Sequence, residues 1–158
     1  VVLQACIKSC LFLCVGAVIF RTGKTKADQI RGIGKEMPVT MICYTIASLA
    51  LIGIPPASGF ISKWYLAEGA LDSGISVFFW LGPVVLLISA LLTAGYLLPV
   101  TMKGFLPGDT YDYAHLEKKE PVKAMVIPVA VLACLSLLLG IFCGPLVQYA
   151  GQIAEVML

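Results

Sequence analysis

Long apolar stretches alternate with short polar segments along the chain, and the charge is gathered almost wholly in the polar segments. Residues 2–20, 38–67, 75–99 and 122–147 hold only Lys8 and Lys63 internally, with Lys123 at the edge of the last stretch. Each stretch meets the roughly 20 apolar residues needed to cross a hydrocarbon core. An isolated strand would leave its backbone unpaired in lipid, so the pattern predicts helices. The expected fold is all-α: a polytopic transmembrane helix bundle with four spans, at about 2–20, 38–70, 75–99 and 122–147.

The second span is too long for one plain crossing. From Pro38 to Ala67 a continuous helix would rise about 45 Å, against a core of about 30 Å. Gly53-Ile54-Pro55-Pro56 lies in its middle, followed by Ser58-Gly59. Two consecutive prolines remove two backbone donors and push the preceding residues out of the helical region. Two half-helices joined by an unwound segment satisfy this pattern, with Gly53, Pro55, Pro56 and Gly59 forming the break. A plain proline kink in a tilted helix is the other reading. Unwound backbone at membrane depth needs protein or water around it, and such breaks recur where ions pass.

Composition agrees with lipid as the solvent. The chain is 59% hydrophobic and 13% charged, with a mean hydropathy of +0.96, whereas soluble domains carry about 25% charge. A net charge of +2 without a basic, aromatic-laced cluster excludes nucleic acid as a partner. The opening Val1-Val2-Leu3 lacks the features of a signal peptide. It predicts a chain that starts partway along, with an upstream portion missing.

Loop 21–37 carries Arg21, Lys24, Lys26, Arg31 and Lys35, and loop 101–121 carries Lys103, Lys118 and Lys119. The turn near 68–76 has no basic residue. Four spans place both basic loops on one face, and the positive-inside bias makes that face cytoplasmic. His115, with Asp109, Asp112 and Glu117 nearby, lacks metal-ligand spacing and reads as a solvated loop.

Cys6, Cys10 and Cys14 recur every four residues along one helix face. With no histidine or carboxylate among them, they read as small packing residues, as do Cys43, Cys134 and Cys143. No metal is expected. No span offers a nucleophile with a positioned base, and Gly32-Ile33-Gly34-Lys35 lacks the strand and spacing of a phosphate loop.

The chemistry that remains is basic. Lys63 follows Pro56 by seven residues, in Phe60-Ile61-Ser62-Lys63-Trp64-Tyr65. A lysine at membrane depth is costly as a cation, while desolvation and a nearby anion pull its proton affinity in opposite directions. Such a lysine can load and release a proton as its surroundings change. Glu68 and Asp72 lie on other faces of its helix, so a partner is expected from another helix or from the missing portion. Snorkelling toward an interface, with Trp64 and Tyr65 as belt residues, is the competing reading. Lys8 lies about 20 Å by helix rise from the boundary at Arg21, with Gln4 one turn earlier on the same stripe. The pair makes a proton-relay fragment, unless Lys8 snorkels. A passive scaffold segment, which would tolerate loss of both lysines, is the alternative from outside transport.

The runs Lys8-Ser9-Cys10-Leu11-Phe12-Leu13, Gly16-Ala17-Val18-Ile19, Thr22-Gly23, Gly32-Ile33-Gly34-Lys35-Glu36-Met37-Pro38 and Gly53-Ile54-Pro55-Pro56-Ala57-Ser58-Gly59-Phe60-Ile61-Ser62-Lys63-Trp64 together resemble the proton-conducting antiporter-like family. That family includes the large membrane subunits of respiratory complex I, the large membrane subunits of Mrp-type Na+/H+ antiporters, and membrane subunits of energy-converting hydrogenases. The likeness is strong over 1–70 and generic beyond.

The resemblance implies that this chain supplies the last four of about fourteen helices, with the broken span as the discontinuous helix of the second repeat. Lys63 falls on the proton-handling lysine of that helix and Lys8 on the lysine of the preceding one. Gln4 stands where many members carry histidine, which puts a His-Lys hand-off in doubt while leaving Gln-bound water as a conductor. The implied role is proton, or cation/proton, translocation in the inner (plasma) membrane as a subunit of a respiratory or hydrogenase-type complex. Other membrane subunits would be partners, Na+ a second candidate ion, and no cofactor or catalytic site would lie in this chain. An Mrp-type Na+/H+ antiporter subunit is the alternative.

Overall fold

Each apolar run becomes helix in the computed structural model, which describes residues 2–72, 74, 76–108 and 120–157. Helix α1 spans Val2–Thr22 and a 3-10 turn follows at Ala27–Ile30. The short α2 (Ile33–Glu36) leads into α3 (Pro38–Ile52), which is followed by α4 (Ser58–Asp72), α5 (Ser76–Phe105), α6 (Lys123–Ile141) and α7 (Gly144–Met157). Among the described residues there is no strand. Among those residues three helices, Val2–Thr22, Phe79–Phe105 within α5, and Lys123–Ile141, are long and apolar enough to cross a membrane.

The second span is two helices rather than one kinked helix. Each of α3 and α4 has 15 residues, about 22 Å at 1.5 Å per residue, so neither alone crosses a core of about 30 Å. Pro38 opens α3, where its missing N–H costs nothing. Gly53 closes it in the left-handed region at φ 96°, with its N–H donating to Leu49 O at 3.1 Å.

Two bounds differ from the sequence expectation. The third helix runs on to Phe105, through both Pro83 and Pro99. The last apolar run divides: α6 ends at Ile141, and α7 begins at Gly144 with Pro145 in its first turn.

The core lies where α1 packs against α3 and α6, and α3 against α5 and α6; α4 lies against α5 and α6. Its buried residues are often small: Cys10, Cys14 and Ala17 of α1, Cys43, Ala47 and Ala50 of α3, and Ala133 of α6. Without a hydrophobic drive between helices in lipid, close backbone approach of this kind supplies the attraction. Cys10, Cys14 and Cys43 pack as expected, with the Cys10 thiol donating to Val129 O at 3.5 Å, while Cys6 and Cys143 are half-buried and Cys134 is exposed. Large apolar side chains such as Phe12, Trp80, Leu87, Leu91 and Leu92 point outward. Water would penalise that surface, whereas lipid or further helices accept it.

Contacts between segments put loop 21–37 and the described flanks of loop 101–121 at one end of the bundle. Lys103 pairs with Asp28, Gly32 N–H donates to Lys103 O at 3.1 Å, and Val39 N–H donates to Glu120 Oε1 at 2.7 Å. The pairing with Lys103 holds the exposed Asp28 carboxyl below the usual carboxylate range. His115, Asp109, Asp112, Glu117, Lys118 and Lys119 lie outside the described residues.

Candidate functional site

A regular helix would carry Ile52 O to the N–H of residue 56 and Leu51 O to that of residue 55. Both positions are proline, so neither donor exists. The chain turns instead, with Ile54 N–H sharing Leu49 O at 3.1 Å and Ala57 N–H donating to Ile54 O at 3.1 Å. Helix restarts at Ser58.

Lys63 fills the vacancy that Pro56 creates. Its Nζ donates to Ile52 O at 2.7 Å, reaching back from α4 to the C-terminal end of α3. The side chain is half-buried and its stem passes over Gly53, where a Cβ would lie 3.0 Å from Lys63 Cδ. Sequence reasoning sought the partner of Lys63 on another helix or in a missing portion. The structure supplies one from the break itself. A helix C-terminus carries about half a negative charge, so the ammonium meets an opposing pole without a fixed counter-ion.

Neighbouring glycines make the joint tight. A Cβ on Gly59 would stand 1.8 Å from Ala50 O, so only glycine lets α4 start against the last turns of α3. Gly59 therefore belongs to the buried start of α4 rather than to the unwound segment. A Cβ on Gly140 of α6 would stand 2.2 Å from Pro56 O, 2.6 Å from Ser58 N and 2.7 Å from Ala57 C. Sequence reasoning passed over Gly140; a lone glycine within Leu137-Leu138-Leu139-Gly140-Ile141 was its one signal.

Lys8 and Gln4 sit one turn apart on α1. Gln4 is half-buried and Lys8 exposed, beside a shallow groove shared with Ser9, Phe12 and Leu13. The adjacent Ile7 is buried, and its Cδ1 lies 3.5 Å from the Cβ position of Gly59. Lys8 thus stands at the depth of the break while facing away from this chain's core. The structure brings Lys63 to the break, and it leaves Lys8 and Gln4 on the outward side of α1. Among the described residues, no group of three or more His, Cys, Asp or Glu side chains is placed to hold a metal.

Comparison with known proteins adds relatives to this geometry. Residues 1–93 match the family model described as NADH:quinone oxidoreductase/Mrp antiporter, TM. NADH-quinone oxidoreductase subunit N of Desulforudis audaxviator is 35% identical over 161 residues, covering 96% of this chain and 31% of the relative. A Na(+)/H(+) antiporter subunit of Bacillus subtilis is 32% identical over 152 residues, covering 96% of this chain and 30% of the relative. A solved Mrp complex from Dietzia sp. superimposes with a TM-score of 0.76 at 22% identity, over 92% of this chain and 34% of that chain, a likeness of fold. The chain spans about a third of the length of these relatives.

Proposed function

The chain belongs to the NADH:quinone oxidoreductase/Mrp antiporter transmembrane family, and from that premise we propose that it forms a proton-conducting half-channel of a larger membrane subunit. The observation that carries this reading is the hydrogen bond from Lys63 Nζ to Ile52 O at 2.7 Å, across a break made by two prolines. A neutral carbonyl accepts from ammonium and from amine alike. The helix pole supports the charged form and the apolar surroundings support the neutral one. The balance is therefore set by water and by charges that approach the joint, which is what a gated proton carrier requires. Lys8 and Gln4, at the same depth on the outward side of α1, would pass protons to or from groups beyond this chain.

The subunit would sit in the inner (plasma) membrane with loops 21–37 and 101–121 in the cytoplasm, among other membrane subunits of a multi-subunit complex. Relatives named both as quinone oxidoreductase and as Na(+)/H(+) antiporter subunits keep two driving forces in view. Proton flux that follows a redox donor and ignores Na+ marks the first; flux that requires a Na+ gradient marks the second.

Replacement of Lys63 by Met tests the proposal. Met retains most of the volume and removes the amine, along with the cost of a buried charge. Proton flux in membrane vesicles should fall to near background while the complex keeps its normal abundance. Lys63→Arg should rescue poorly, because guanidinium stays protonated. Full flux in Lys63→Met at normal abundance would leave the scaffold reading ahead.

A further inference from the structure

Buried hydroxyls in this bundle generally turn back to their own helix. Thr45, Ser48 and Ser136 each donate to a carbonyl three or four residues earlier at 2.8 Å. Thr40, in the first turn of α3, donates to Glu120 Oε2 at 3.2 Å. Ser58 differs. It is 0% exposed, and its Oγ alone among the buried side-chain polar atoms of the described residues has no hydrogen-bond partner.

Its place in the fold explains this. Ser58 is the first residue of α4, so the carbonyl four residues back belongs to Ile54, outside the helix, and already accepts from Ala57 N–H. Nor does the hydroxyl cap α4, since capping would have given Oγ a backbone partner. Gly140 presses on the Ser58 backbone, and the neighbouring Gly59 lies against Ala50 O. The hydroxyl is thereby buried at the start of α4, five residues before the lysine that reaches back to Ile52 O.

We propose that Ser58 Oγ holds a water molecule in the joint between α3 and α4, and that this water relays protons to and from the place where Lys63 works. The inference rests on the transport reading above and deepens it. A buried polar group without a protein partner is ordinarily satisfied by ordered water, which needs two to four polar neighbours. The sequence around the break carries candidates: the Ser58 hydroxyl itself, first-turn N–H groups of α4, and Leu51 O, for which Pro55 provides no helical donor. The positive pole at the start of α4 favours the oxygen of water and disfavours Na+ at the same point. A hydroxyl relays by giving its proton to one neighbour while taking another from the opposite side. Ser58 ends each transfer unchanged, and no oxidant or further reactant enters.

Two measurements on the complete complex test this. A high-resolution experimental map should show water within hydrogen-bond distance of Ser58 Oγ; a direct bond to a protein group, or a Na+ ion in that place, overturns the proposal. Ser58→Ala is then compared with Lys63→Met in energised vesicles, with complex abundance measured alongside. Loss of the relay should lower proton flux at least roughly tenfold, the scale of a positioned proton-transfer group. Abundance should hold, because alanine removes a hydroxyl that makes no hydrogen bond to another group among the described residues. If Ser58→Ala assembles poorly, Ser58→Cys, close in size and a weak donor, should show the same loss of flux per complex. Full flux in Ser58→Ala, or in the cysteine variant that replaces it, with Lys63→Met inactive, overturns the water relay alone. Full flux in Lys63→Met overturns the transport reading beneath it.

Discussion

Replacing Gly140 by alanine inserts one methyl where α6 presses on the break. Its Cβ would fall 2.2 Å from Pro56 O, 2.6 Å from Ser58 N and 2.7 Å from Ala57 C. All three are backbone atoms of a proline-stiffened turn, so no flexible side chain can swing aside. Overpacking of this kind costs about 1–3 kcal/mol. Gly16 and Gly95 lie in α1 and α5 with nothing within 4 Å of their Cβ positions, and alanine there should gain roughly 0.5–1 kcal/mol of helix propensity. Gly140→Ala should therefore be less stable than Gly16→Ala or Gly95→Ala by about 1.5–4 kcal/mol. Thermal melting of the purified full-length subunit in detergent measures the difference. Any relaxation must move Pro56–Ser58 or α6, so proton flux per complex should also drop in Gly140→Ala and hold in the two controls. Equal melting and equal flux across all three variants would refute the close approach of α6 to the break.

The prolines have an equally direct test. Pro55→Ala with Pro56→Ala returns N–H donors for Leu51 O and Ile52 O, so Ile52 O would no longer depend on Lys63; flux should fall while assembled protein stays level. Normal flux at normal abundance would mean that the break serves no transport. Glu120 accepts from Val39 N–H at 2.7 Å and from the Thr40 hydroxyl at 3.2 Å, closing the open start of α3 from the segment before α6. Glu120→Ala should cost about 1 kcal/mol, the usual value of a helix cap, and Glu120→Gln less, as read from melting temperature; no shift in either would remove the cap. For orientation, a cysteine at the exposed Lys26 should react with a membrane-impermeant maleimide only from the cytoplasm, and one at the exposed Asp72 only from outside. The reverse pattern would overturn the charge-based topology.

Much of the site was legible because its rules are local. Two adjacent prolines at membrane depth disfavour a continuous helix, so residues 53–59 pointed to the division into α3 and α4, with a plain kink as the other reading. Lys63 stood out because a charged residue in lipid needs a reason. Its partner was missed for want of one step of the same logic: Pro56 silences the donor that Ile52 O would have used, and a lysine seven residues later can reach back to it. What stayed hidden depends on segments distant in sequence. Gly140, Glu120 and the orphaned hydroxyl of Ser58 gain meaning only when α6 is laid against the break and the start of α3. The two shifted helix bounds reflect weak local rules, since Pro99 is tolerated inside α5 while Gly144-Pro145 restarts a helix within an unbroken apolar run. Lys8 stood out as a charge within an apolar run, and the structure leaves it exposed on the outward side of α1 rather than at the joint. The joint follows from this chain alone: the prolines remove the donors that two carbonyls would use, the glycines bring the helices together, and the Lys63 amine meets the C-terminal pole of α3.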